Sequence, residues 1–304
     1  MSLPKTFTFG SGKTCPSLGL GTFQLTGTDS IAEMVYNSIK DGTRLIDTSA
    51  MYDSEEGIGI AIKKAISEGI VKREDLFIIS KLHAFRRTEP EKELRETLKR
   101  LQLDYIDLYL DHWPLFYKYE NGKKVDQMPL HKLWPIFENL VEKGLTKNLG
   151  TSNYNFQSLV NLLSFAKIPP TFNEVEFHPY LYQKELLKFC KKEGIIILAY
   201  NPLCKGNYDF HDEKEKIKID LLNDKVITEL AAKYKKTAGQ VVLNWIVRCG
   251  AIPIPATRQN HRMKENLGAL DFKMDDKDYE KIDNMNKNYR MGTWPLLEDF
   301  YFWA

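Results

Sequence analysis

The chain has few cysteines, almost no net charge and no long apolar run, and each shortage removes a class of function. No stretch approaches the ~20 consecutive apolar residues of a membrane span, so no membrane partner is expected. The four cysteines, Cys15, Cys190, Cys204 and Cys249, fall without CxxC or Cys/His ligand spacing. In a chain of 304 residues this predicts reduced thiols, a cytoplasmic setting and no bound metal. Lys and Arg number 43 against 41 Asp and Glu, a formal +2, and runs such as Glu213-Lys214-Glu215-Lys216 are mixed in sign. No nucleic acid partner is expected from such a balance. The opening Met1-Ser2-Leu3-Pro4-Lys5 lacks the apolar segment of a secretory signal.

What is present is a rhythm. Thr6-Phe7-Thr8-Phe9 and Lys13-Thr14-Cys15 flank Gly10-Ser11-Gly12 as a β-hairpin. Strand-like segments follow at 17–22, 45–48, 76–81, 106–112, 147–151, 172–176, 195–200 and 251–254. Between them, helical periodicity predicts helices near 29–41, 54–67, 90–102, 130–143, 155–165, 183–193, 222–235 and 238–248. No linker rich in Pro, Gly or Ser interrupts the alternation, so residues 1–304 are expected to form one α/β domain, a (β/α)8 TIM barrel. A Rossmann loop is the rival. Gly57-Ile58-Gly59-Ile60-Ala61-Ile62 begins like GxGxxG, but Ile62 stands in the third glycine's place and no strand precedes it. This stretch is read as a helix with small residues facing the barrel.

Three of the strands run from apolar residues into ionisable ones. Leu45-Ile46-Asp47-Thr48-Ser49-Ala50-Met51-Tyr52 delivers a carboxylate and a phenol, Leu76-Phe77-Ile78-Ile79-Ser80-Lys81 a lysine, and Ile106 to Trp113 a histidine. In a parallel barrel, catalytic groups from different strands gather at the carboxyl-terminal rim. A phenol, with an ordinary pKa of ~10, is a poor proton donor at neutral pH unless its phenolate is stabilised. Lys81 beside Tyr52 would do that, Asp47 would hold the ammonium, and a neutral His112 would orient a carbonyl oxygen. Each residue alone has a plainer reading: a solvated strand end, a packed histidine, a turn or helix start.

Taken together they resemble the aldo-keto reductase family, of the aldose, aldehyde and xylose reductase type. The resemblance rests on Asp47-Thr48 with Tyr52, Ser80-Lys81 and His112-Trp113-Pro114. It continues through Gly150-Thr151-Ser152-Asn153, Glu176-Phe177-His178-Pro179, Tyr200-Asn201-Pro202-Leu203, and Arg262 with Glu265-Asn266, covering nearly the whole chain. It implies a hairpin that plugs the barrel floor, and hydride transfer from NADPH to an aldehyde or ketone with Tyr52 as general acid. Asp47, Tyr52, Lys81 and His112 would be the catalytic four. Tyr200 would stack on the nicotinamide, and Ser152, Asn153 and Glu174 would meet its carboxamide. Thr22, Phe23, Asp47, Asn201, Leu203, Thr257, Arg258, Arg262, Glu265 and Asn266 would complete the cofactor contacts. Family members are commonly monomers or weak dimers.

The chain departs from the family at two points. Glu174 aligns where the family usually has glutamine, and a carboxylate can only accept a hydrogen bond unless it is protonated. Ile254-Pro255-Ala256-Thr257 replaces the family's Ile-Pro-Lys-Ser, so a lysine that would meet the 2'-phosphate is absent. Thr257, Arg258 and Arg262 remain, and NADPH is expected to be preferred over NADH by a reduced margin. Phe23, Tyr52, His112 and Trp113 are expected to wall the mouth for a small carbonyl substrate. The aromatic tail Thr293 to Trp303 is expected to cover the rim. Cys204, next to a site loop, is open to two readings, reactive thiol or inert filler. A regulatory barrel that binds the cofactor without turnover is the alternative function.

Overall fold

The computed structural model describes residues 2–10, 12–115, 117–120, 123–126, 128–205 and 219–292. The tail from Thr293 to Trp303, expected to cover the rim, lies outside them.

Strands β1 (Thr6–Phe9) and β2 (Lys13–Pro16) pair antiparallel as the predicted hairpin. The repeat then begins: β3 (Leu20–Gly21), α1 (Thr28–Lys40), β4 (Leu45–Asp47), α2 (Glu55–Ser67), β5 (Phe77–Leu82), α3 (Pro90–Leu101) and β6 (Leu108–Asp111). A small antiparallel pair, β7 (Tyr117–Glu120) with β8 (Lys123–Asp126), is inserted before α4 (Leu130–Glu142). Next come β9 (Leu149–Ser152), α5 (Phe156–Leu163), β10 (Phe172–Glu176), α6 (Lys184–Lys192) and β11 (Ile196–Tyr200). The chain continues with α7 (Lys225–Tyr234), α8 (Ala238–Cys249), β12 (Ala251–Pro253), α9 (Asn260–Leu267) and α10 (Asp276–Asp283).

Eight strands, β3 to β6 and β9 to β12, form one parallel sheet in chain order. Its two ends meet: Gly21 bridges Ala256 in parallel, and the amides of Gly19 and Gly21 donate to Pro253 and Pro255 carbonyls at 3.0 and 3.1 Å. The sheet is thus closed into the predicted barrel. Gly21 allows that approach, since a Cβ there would stand 2.6 Å from the Ile254 carbonyl oxygen.

Strand side chains alternate between the barrel interior and the helix layer. Interior positions of β5 read Phe77, Ile79, Lys81, and those of β10 read Phe172, Glu174, Glu176. The lower interior is therefore apolar and the upper interior polar. Phe9 from the hairpin seats against Phe172 and Phe77, with ring centroids 4.8 and 6.1 Å apart, and closes the floor. The outer core packs the helices against the other strand faces.

One expectation needs correction. Gly57 and Gly59 of α2 face neighbouring helices rather than the barrel. A Cβ on Gly57 would meet Thr28 O at 2.6 Å, and one on Gly59 would meet Arg100 O at 2.6 Å. These glycines let α2 lie close to its neighbours α1 and α3.

Candidate active site

A cavity of about 670 Å3 opens at the carboxyl-terminal mouth of the barrel, within the roughly 300–1,000 Å3 common for small-molecule sites. Asp47, Tyr52, His112 and Trp113 stand on its wall with Phe23. Lys81 lies just beneath them, fully buried. Its ammonium reaches Asp47 Oδ1 at 2.5 Å and the Thr48 carbonyl at 2.9 Å. The ammonium sits 4.9 Å from the centre of the Tyr52 ring. Tyr52 Oη in turn lies 3.3 Å from His112 Nε2. The four residues from three strand ends and one loop are thus one connected set.

Their electrostatics follow from burial. Burial opposes a charge on Lys81, but Asp47 and then Glu174 outweigh it and hold the ammonium above its ordinary range. Burial, reinforced by the Lys81 charge and by His83, pushes His112 well below the usual imidazole value, so the ring is neutral. Ser49 Oγ lies 3.2 Å from His112 Nδ1 and also accepts the Met51 amide at 3.2 Å. A hydroxyl that donates to Nδ1 leaves the ring hydrogen on Nε2, facing the phenol. Ser49 carried no signal in the sequence, because nothing in its neighbourhood shows that His112 arrives from another strand.

Behind His112 is a second feature that sequence reasoning missed. Arg87 Nη1 holds both oxygens of Asp111, at 2.6 and 2.7 Å, and the Trp113 carbonyl at 2.6 Å. Tyr154 Oη donates to Asp111 Oδ2 at 2.6 Å, and Asn153 Nδ2 donates to the His112 carbonyl at 3.0 Å. The backbone on both sides of the imidazole is therefore fixed by buried polar bonds.

The expected cofactor contacts divide between two ends of the cavity. At the inner end, Ser152, Asn153, Glu174 and Tyr200 line the wall, and Tyr200 Oη donates to Asn153 Oδ1 at 3.0 Å. Asn201 and Leu203 follow on the rim, with Thr257, Arg258, Arg262 and Asn266 at the outer end. Arg258 Nη2 donates to the Gln24 carbonyl at 2.7 Å, strapping two rim loops together. Thr22 and Glu265 are not on the wall. The Thr22 hydroxyl donates to the Asp47 carbonyl at 2.9 Å, and Glu265 Oε1 accepts from Thr237 at 2.7 Å.

Cys204 is the inert filler of the two readings. Its sulfur lies 3.4 and 3.6 Å from both nitrogens of the His178 ring, over the ring rather than in line with one lone pair. Burial and the Glu176 carboxylate push its thiol up, away from the reactive thiolate. Among the described residues no group of His, Cys, Asp and Glu is arranged to hold a metal. No helix among them is long and apolar enough to cross a membrane.

Known proteins share this architecture. The chain is 37% identical to "Aldose reductase B" of Dictyostelium discoideum, over 91% of this chain and 91% of that protein. It is 39% identical to "Glyoxal reductase" of Bacillus subtilis (strain 168), over 97% of each. A Bombyx mori aldo-keto reductase solved in complex with NADP superposes with a TM-score of 0.85 at 32% identity, covering 96% of this chain and 95% of that one. Residues 17–287 match the model of the aldo/keto reductase family, and with the connected Asp47, Tyr52, Lys81 and His112 at the barrel mouth the chain belongs to that family.

Proposed function

We propose that the chain reduces aldehydes, and some ketones, to alcohols with NADPH as reductant. The observation that carries this reading is the chain of contacts from Asp47 through Lys81 and Tyr52 to a neutral His112, at the floor of a cavity long enough to have two chemically distinct ends.

The donor set fits a nicotinamide dinucleotide. The inner end offers an aromatic face from Tyr200 and, from Ser152, Asn153 and Glu174, the hydrogen-bonding groups an amide needs. Glu174 Oε2 is buried without a hydrogen-bond partner among the described residues, so that end has an unmet polar demand. The outer end offers the guanidiniums of Arg258 and Arg262 and the Thr257 hydroxyl, groups suited to phosphate. When bound, the reduced cofactor supplies a hydride to the carbonyl carbon.

The chain's own residues handle the oxygen. Nε2–H of His112 and the Tyr52 hydroxyl converge on one point, where a carbonyl oxygen accepts both. Tyr52 gives its proton to the oxygen as negative charge develops there. Lys81, fixed by Asp47 and 4.9 Å from the centre of the Tyr52 ring, favours the resulting phenolate electrostatically. Phe23 packs on the Tyr52 ring edge-on with centroids 5.0 Å apart, and with Trp113 gives the mouth apolar walls. Such walls suit aldehydes with little polar readout, from sugar aldoses to small dialdehydes and aromatic aldehydes, in line with the names of the relatives.

The decisive assay follows the absorbance of reduced nicotinamide with an aromatic aldehyde. Wild type is expected to consume it. Tyr52→Phe is expected to lose turnover while still binding NADPH, and an active Tyr52→Phe would mean that another group donates the proton.

A further inference from the structure

Lys81 is shared between two carboxyls, unequally. Its ammonium lies 2.5 Å from Asp47 Oδ1 and 3.3 Å from Glu174 Oε1, with side-chain exposures of 0%, 4% and 3% for Lys81, Asp47 and Glu174. Among the described residues, no other cation pairs with Glu174. Its second oxygen, Oε2, has no hydrogen-bond partner there, yet Glu174 forms part of the cavity wall. With both carboxyls ionised, the trio would carry one uncompensated negative charge in a dry site, and Lys81 would act less strongly on Tyr52. With one proton on Glu174 the trio is neutral.

A proton on Glu174 is also held by the Asp47 carboxylate, which stands within hydrogen-bonding reach of it, and the other surroundings give Glu174 little help. β4 presents Asp47, β5 presents Lys81, and β11 presents Tyr200. Tyr52 and the neutral His112 line the same cavity. β9 presents Ser152, whose hydroxyl is turned to the Glu174 backbone carbonyl at 3.1 Å. Two residues along β10, Glu176 is already engaged by His178 at 2.8 Å and by the amides of Met291 and Gly292 at 3.0 and 2.8 Å. Burial first, then repulsion from Asp47, raises the Glu174 carboxyl well above the ordinary carboxylate range despite Lys81.

We infer that Glu174 is a proton-linked sensor of the charge on the cavity's occupant, holding a proton beneath a neutral ring and releasing it to solvent when a cationic pyridinium lies against its free oxygen. The inference rests on the nicotinamide reading of the cavity and deepens it. Protonated Glu174 resembles an amide in shape, presents one donor beside one acceptor, and serves the reduced cofactor. Ionised Glu174 supplies the counter-charge that the oxidised cofactor needs. Binding of the oxidised form therefore releases a proton and strengthens as pH rises, whereas binding of the reduced form does neither.

Titration calorimetry tests this on the intact protein, with NADP+ and NADPH each measured in two buffers of different ionisation heat. The two nucleotides carry the same phosphates, so the difference between them isolates the ring. About one more proton released with NADP+ than with NADPH is expected, and the ratio of their Kd values should move toward NADP+ by up to about tenfold per pH unit while Glu174 starts protonated. Glu174→Gln, which copies the protonated shape but cannot ionise, should remove the extra proton and flatten the ratio. Equal proton release by the two nucleotides in wild type, or an extra proton that persists in Glu174→Gln, overturns the inference alone. Binding of neither nucleotide overturns the cavity's nicotinamide reading and this inference with it.

Discussion

Ser49 Oγ lies 3.2 Å from His112 Nδ1, a contact that spans 63 residues of chain and selects which nitrogen of the ring carries the hydrogen. Removing the hydroxyl leaves the ring in place but frees its tautomer. Ser49→Ala is therefore expected to lower kcat with little change in cofactor Kd. One neutral hydrogen bond, roughly 0.5–1.5 kcal/mol, corresponds to about two- to tenfold in rate. A kcat equal to wild type would show that the hydroxyl does not orient the ring.

The neutral state of His112 has a stability cost on the acid side. Burial holds its folded-state pKa well below the unfolded value, which is about 6.5. Below that value the unfolded chain takes up a proton that the folded one refuses, so this contribution is present above pH ~6.5 and is lost as pH falls toward the folded value. Urea midpoints measured from pH 8 to pH 5 should fall on the acid side, with a slope of at most about 1.4 kcal/mol per pH unit from this group. His112→Gln should make the acid fall shallower. An unchanged slope would place the proton uptake elsewhere.

Arg87 and Asp111 form a buried pair in which one guanidinium nitrogen, Nη1, reaches both carboxylate oxygens and also the Trp113 carbonyl. Arg87→Met strands a buried carboxylate and is expected to cost about 3–5 kcal/mol in unfolding free energy. Pairing it with Asp111→Leu should recover much of that. If the double variant is no more stable than the single, the cost comes from the lost Trp113 contact rather than from the stranded charge.

Cofactor preference depends on the outer end of the cavity, where Ala256 replaces a lysine of the resembled pattern and Arg258 and Arg262 supply the positive charge. kcat/KM is expected to favour NADPH over NADH. Ala256→Lys should widen the ratio about tenfold, the lower end for one charge-assisted hydrogen bond of roughly 1.5–3 kcal/mol. Equal or reversed wild-type values would remove the preference.

The barrel was legible because its signal is local. Each barrel strand is a short apolar run buried on both faces and each helix repeats with a period of about 3.6, and no neighbour is needed to see either. The later elements escaped for the same reason. α10 (Asp276–Asp283) has Tyr279 and Ile282 as its buried apolar residues, too few to show a period, and α9 (Asn260–Leu267) buries little beyond Met263. The pair β7 and β8, four residues each, is too short and too polar to announce itself as strand.

Site residues at strand ends were legible as a set, because Asp47, Lys81 and His112 each close an apolar run. Ser49, Arg87 and Asp111 were not. A serine two residues after an aspartate, or an arginine in a loop, acquires meaning only through a partner brought from another strand. The glycines of α2 misled in the same way: smallness is visible in sequence, but the helix that it accommodates is not.

Beneath Asp47, Lys81 and Glu174 lies a plug of phenylalanines, Phe9, Phe77 and Phe172. No solvent dipoles can reorient on that side, so the field of the three ionisable groups is poorly damped below and is answered only from above. The molecule entering the mouth therefore becomes the principal dielectric the trio experiences, and its polarity, rather than bulk salt, sets how strongly those groups act on one another.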